Sequence, residues 1–146
     1  MRARAAGALL LALMPHVSVA DDRTSCTALT GLVNQAAVET IDLTNLTKHL
    51  NAETCGTALT TGGGREIHCR WSFAYRDEAA ISLHDRIASD VQTCLNATAV
   101  PREDGVNHPD SYDQQRFHAG DVDLSLSLKD KAALQRTFVF LRIGGG

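Results

Sequence analysis

The sequence predicts an α+β fold: two β-hairpins forming a four-stranded antiparallel or mixed sheet, with two to three helices packed on one face and two disulfides stapling the layers. Three observations predict it. In residues 65–76, REIHCRWSFAYR, the side chains Ile67, Cys69, Trp71, Phe73 and Tyr75 alternate with Glu66, His68, Arg70, Ser72 and Ala74, the pattern of a strand with one face buried. In residues 78–95, Ala80, Leu83, Ile87, Val91, Cys94 and Leu95 recur at helical spacing, while Asp85, Arg86, Ser89 and Asp90 lie off that stripe. An even set of four cysteines, Cys26, Cys55, Cys69 and Cys94, follows a segment with the marks of an export signal.

The export signal comes first in the chain. Arg2 and Arg4 form a basic start, residues 5–14 are small and apolar, Pro15 ends the run, and Ser18-Val19-Ala20 places small residues where a signal peptidase reads. The apolar run is about half of the ~20 residues a membrane helix needs. The arginines are not adjacent, and Cys26 lacks the small apolar lead-in of a lipoprotein. The expected organisation is a signal peptide over 1–20 and a single α+β domain over 21–146, placed in the periplasm or outside the cell. Without Arg2 and Arg4 the mature chain has twelve basic and seventeen acidic residues, a balance of −5. That balance argues against nucleic acid or anionic membrane as partner. No basic cluster overrides it: Arg65, Arg70 and Arg76 are spread along one segment and interleaved with acids.

Taken in order, residues 25–39 predict a helix with Cys26, Leu29, Val33, Ala36 and Ala37 on one stripe and Thr24 or Ser25 as N-cap. A short helix is expected over 44–50. Residues 57–61 and 65–76 read as a hairpin through Gly62-Gly63-Gly64. With Thr61, Gly62 and Gly63 as the loop, Thr60 faces Gly64 and, counting outward, Cys55 faces Cys69. Directly opposed Cβ atoms lie about 4.5–5.5 Å apart, close to what a disulfide requires. Asp77 caps the helix over 78–95. Cys26 and Cys94 each lie on the apolar stripe of a helix, so the expected pairs are Cys55–Cys69 and Cys26–Cys94. The second closes a loop of nearly seventy residues, worth roughly 3–5 kcal/mol on a chain-entropy view.

Residues 96–113 are expected to form a long polar connection with Pro101, Gly105 and Pro109. Residues 114–128 then read as one strand, with Val122, Leu124, Leu126 and Leu128 on one face. Phe117 has the wrong parity for that face, so Gly120 marks a bulge in this reading. Lys129-Asp130-Lys131 turns the chain into a last strand over 134–143. That strand carries Phe138 and Phe140 on one side and Val139, Leu141 and Ile143 on the other. Apolar residues on both sides predict a central strand, or one that keeps a face for a partner.

Candidate chemistry gathers in VNHPDSYDQQRFH, residues 106–118. His108, Asp110, Asp113 and His118 offer imidazole and carboxylate groups of the kind Zn²⁺ accepts. Their spacing matches neither H-E-x-x-H nor a calcium loop, and the same residues suit an ordered turn-rich connection. No G-x-S-x-G elbow and no S-x-x-K occurs, and Gly62-Gly63-Gly64 lacks the Lys and following helix of a phosphate loop. Asp121 and Asp123 share a strand face and read as solvated. His68 reads as a surface residue beside Arg70, and His49 and His84 as residues near helix surfaces or ends.

The expected function is therefore that of a small exported, disulfide-stapled binding or inhibitor-like module, without catalytic residues, metal or cofactor. Its candidate contact surface comprises Asn107, His108, Asp110, Tyr112, Asp113, His118, Phe138 and Phe140. The partner is an envelope protein or small molecule. Two alternatives stand beside it: a metal-dependent hydrolase built on the 107–118 loop, and a homodimeric envelope component.

Overall fold

Period-two alternation builds one sheet in this chain, and helical periodicity builds the layer above it. The computed structural model describes residues 20–36, 42–101 and 110–145. Its elements are α1 (Ala20–Ala36), α2 (Leu43–His49), β1 (Thr54–Leu59), β2 (Arg65–Ala74), α3 (Glu78–Leu95), β3 (Thr98–Ala99), β4 (Tyr112–Ala119), β5 (Val122–Lys131) and β6 (Arg136–Gly145). All six strands join in one antiparallel sheet of order β1-β2-β6-β5-β4-β3.

The expected α+β class holds, with six strands in place of four. The 114–128 segment is two strands, β4 and β5, closed by the two-residue turn Gly120–Asp121. Ala119 pairs with Val122 across it, and Gly120 has φ +62°, a conformation glycine adopts freely. Gly120 is thus a hairpin corner and not a bulge. The odd parity of Phe117 has the same cause: reversing the chain sets Phe117 opposite Leu124, and both are buried. Likewise, 129–131 is strand, and the chain reverses through a short 3₁₀ turn, Ala132–Leu134, with Gln135 at φ +51°. The last strand therefore starts at Arg136, beyond Leu134.

Other elements match their residues. Thr60 N–H donates to Gly64 O at 2.8 Å, so the first hairpin closes as counted, and Cys55 faces Cys69. Disulfides join Cys55 to Cys69 and Cys26 to Cys94. The Asp77 carboxylate accepts from Ala79 N–H at 2.9 Å at the start of α3, and Asn96 ends that helix in the left-handed conformation. Helix α1 is already helical at Ala20, so Thr24 and Ser25 lie within it and do not cap it. Residues 1–19 of the expected signal peptide, and 37–39 of the first predicted helix, lie outside the described residues. Two disulfides suit an oxidising compartment. No helix among the described residues is long and apolar enough to cross a membrane.

The core lies between the helices and one face of the sheet. β2 contributes Ile67, Cys69 and Trp71, β5 Leu124 and Leu126, and β6 Val139, Leu141 and Ile143. Leu29 and Leu32 of α1, Leu46 of α2, and Ile87 and Val91 of α3 close over them. His84 belongs to this layer too: it is 3% exposed, not at a helix surface as expected. Its Nδ1 lies 3.2 Å from the Asp85 carboxylate. Four residues separate it from Ala80 and from Ala88, so it shares their buried side of α3.

A polar pin fixes the far end of the sheet. The Asp130 carboxylate is buried and accepts from Thr137 Oγ1 at 2.6 Å, Ser111 Oγ at 2.6 Å and Arg76 Nε at 3.3 Å. Thr137 Oγ1 in turn accepts from Arg76 N–H at 2.7 Å, where Arg76 holds a left-handed corner between β2 and α3. Burial pushes the Asp130 carboxyl up, but the three hydrogen bonds and the Arg76 charge outweigh it, leaving its pKa below the ordinary 3.8.

Candidate functional site

The side of the sheet away from the helices forms the site. Residues there alternate with the core residues of the same strands, so the register fixes its rows. One row crosses Gly56, His68, Arg142, Ser125 and Arg116; the next crosses Thr54, Arg70, Phe140, Ser127 and Gln114. A third crosses Ser72, Phe138, Lys129 and Tyr112, and Arg136 and Lys131 stand side by side beyond it. Strand β6, central in the sheet, therefore carries apolar residues on both sides, one set facing the helices and the other facing away from them.

Aromatic residues sit in the middle. The Phe138 and Phe140 rings are half-buried, with centroids 5.8 Å apart. The Arg70 guanidinium lies 5.8 Å from the Phe138 ring centre and donates to Glu53 at 3.2 Å. Lys129 Nζ lies 5.7 Å from the Tyr112 ring, whose hydroxyl is 3.3 Å from Ser127 Oγ. These are cation–π distances.

The charges are unevenly shared. Among the described residues, the strands place six cations on this face, Arg70, Arg116, Lys129, Lys131, Arg136 and Arg142, against two carboxylates, Glu66 and Asp123. Arg142 Nη2 donates to both Glu66 oxygens at 2.7 Å, and His118 Nδ1 is 2.5 Å from Asp123 Oδ1. Between Glu66 and Asp123 the sheet has Gly144, which offers no side chain, and a depression of about 420 Å³ opens there. His68 lies on the same face, with its ring over Gly56: a Cβ at that glycine would meet His68 Nε2 at 2.9 Å.

Of the residues singled out from sequence, Tyr112, His118, Phe138 and Phe140 share this face. Asp110 does not: it accepts from Lys131 Nζ at 2.8 Å and Ala132 N–H at 2.9 Å, tying the start of β4 to the β5–β6 turn. Asp113 has the parity of Phe117 and points to the helix side, opposite His118. Asn107 and His108 lie outside the described residues. The four ligands of the metal reading thus have Asp113 and His118 on opposite sides of one strand, and Asp110 occupied by a lysine. Among the described residues no group of three His, Cys, Asp or Glu could hold a metal ion.

A second hollow, about 720 Å³, lies on the helix side between the 50–53 turn, Trp71, Phe73 and one flank of α3. Trp71 Nε1 donates to Leu50 O at 3.3 Å at its edge, and Trp71, Phe73 and Leu83 belong to the core cluster. Asn51, Glu53, Ser72, Ser82 and Arg86 bring polar groups to the lining of this hollow.

The linear sequence hid the basic character of the face. Its six cations come from β2, β4, β5 and β6; Arg70 and Arg116 are remote in the chain from the four that fall within residues 129–142. The signal was there in parity: Arg70, Arg116, Lys129 and Arg142 each occupy the polar phase of an alternating strand. No protein-family model matches the chain, and no curated protein matches it.

Proposed function

We propose that this protein is a small exported binding module, stapled by two disulfides, which meets its partner with the uncovered face of the sheet. The observation that carries the reading is the composition of that face. Phe138, Phe140 and Tyr112 stand among arginines and lysines on a side to which no described helix packs. Arginine and aromatic residues are the types enriched where proteins bind one another. The opposite side of the same strands is already filled by core, so the aromatics are not needed there for folding. The depression at Gly144 is lined by the His118–Asp123 pair, Ser125 and Thr60, and a binding role requires no reaction among them.

The test is affinity capture in the native compartment, with the oxidised protein as bait. Wild type is compared with Phe138→Ser/Phe140→Ser, after circular dichroism and thermal melting show that the double variant is folded. The expected result is a component retained by wild type and lost by the variant. The same captured set with both baits would remove the sheet face from the function.

A further inference from the structure

The whole-chain balance of −5 conceals two parts of opposite sign. Among the described residues, the strands of the sheet face hold six cations and two carboxylates, a local +4. The remaining mature chain keeps six basic and fifteen acidic residues, −9. Even with Glu53 and Asp110, the partners of Arg70 and Lys131, set against it, the face stays positive.

From this we infer that the partner is an acidic protein surface that places an apolar side chain on Phe138 and Phe140. The inference rests on the binding-module reading and adds the chemistry of the occupant. Charge complementarity is its first support, since a like-charged partner would be repelled by the net positive charge of this face. The second is layout. Cations in the same row on β4 and β6 stand two strand spacings apart, about 10 Å, and successive rows lie about 7 Å apart. Arginines and lysines so spaced do not converge on one small anion; they match carboxylates distributed over a surface. The third is mixed chemistry. Glu66 and Asp123 interrupt the positive field beside Gly144, and the Phe138–Phe140 pair occupies its centre. A uniformly charged polyanion would be repelled at the first and gain nothing at the second. A protein with acids around an apolar knob fits both. The area is also right: strands of two to ten residues, at about 3.3 Å per residue and about 4.8 Å between strands, cover on the order of 700 Å², close to the contribution of one partner to a standard interface.

The probe is a soluble random copolymer of glutamate and tyrosine, labelled and titrated with the oxidised exported protein by fluorescence anisotropy. Poly-glutamate, poly-lysine and heparin serve as comparisons. The expected order is Glu–Tyr copolymer tightest, poly-glutamate weaker, poly-lysine unbound, with affinity falling at least tenfold as salt rises from about 0.05 to 0.5 M. Arg116→Glu with Lys129→Glu should reduce copolymer binding about tenfold or more, and Arg136→Glu alone by a smaller factor. Arg86→Glu, on the exposed side of α3, should change it less than twofold. Four results would overturn the inference. They are heparin binding as tightly as the copolymer, no binding to any acidic polymer, equal loss with Arg86→Glu, or wild-type dimers in sedimentation that Arg116→Glu/Lys129→Glu dissolves, which would make the occupant a second copy of this chain. If capture still depends on Phe138 and Phe140 after such a failure, only the acidic partner falls.

Discussion

Phe140 and Leu141 are neighbours in β6, yet the two sides of that strand have different tasks. Leu141 is buried between Cys69 and Leu126 beneath the helical layer. Phe140 is half-buried between Arg70 and Ser127 with no helix above it among the described residues. The covered side is closed by apolar packing, with one disulfide tying β1 to β2 and the other tying α1 to α3 above them. The uncovered side is organised by ion pairs and ring contacts that remain within reach of solvent. The difference teaches that an apolar residue in a central strand is not by itself a core residue; the layer above it decides.

The largest way to break this contrast is to cut the covered layer loose. Replacing Cys26 and Cys94 together by Ser opens a loop of sequence separation 68 and should cost about 4 kcal/mol in urea unfolding. Replacing Cys55 and Cys69, separated by 14, should cost about 3 kcal/mol, because the shorter loop restrains the unfolded chain less. An equal or reversed order would show that strain or residual structure, not loop length, governs the bridges.

Next comes the direct comparison within β6. Leu141→Ala should lose about 3 kcal/mol, from the removed methyl groups and the cavity left behind. Phe140→Ala should lose about 1 kcal/mol, because its ring is only half removed from water. Similar losses at the two positions, read by chemical denaturation, would mean that the uncovered face is covered in solution.

Asp130 sharpens the contrast at the far end of the sheet. Asp130→Asn should destabilise by about 2 kcal/mol, since charge-assisted bonds from Ser111, Thr137 and Arg76 are weakened together. The pH dependence has a definite sign. The folded carboxyl lies below its ordinary 3.8, so its contribution is fully present above that value. It is lost as pH falls through the folded pKa. Unfolding midpoints measured between pH 6 and pH 2 should fall less steeply in Asp130→Asn than in wild type.

The smallest effect is expected at Gly56, where an added Cβ meets the end of the His68 ring. Gly56→Ala should move that ring, seen as a change in its NMR resonances, with stability altered by less than about 0.5 kcal/mol. A large loss would mean the ring is locked and part of the packing.

Much of the covered side could be read directly. The alternation of 65–76, the stripe of 78–95 and the cap at Asp77 are local features. The Cys55–Cys69 pairing followed from counting a three-residue turn. Reading the 114–128 segment failed because period-two alternation does not reveal the direction of travel: a bulge and a two-residue reversal both follow a parity change at a glycine. His84 was misplaced because an imidazole on an apolar stripe carries no sign of its burial. The basic face was missed because its members meet only through hydrogen-bonded register across four strands.

Local chemistry alone therefore determined the element types, the Cys55–Cys69 pairing and the net acidity. These depend on nearest neighbours and on composition. The tertiary structure decided which side of each strand the helices cover, where β6 lies in the sheet, and how six scattered cations come to share one surface. Strand order and layer choice are set by contacts between residues far apart in the chain, and no local pattern encodes them.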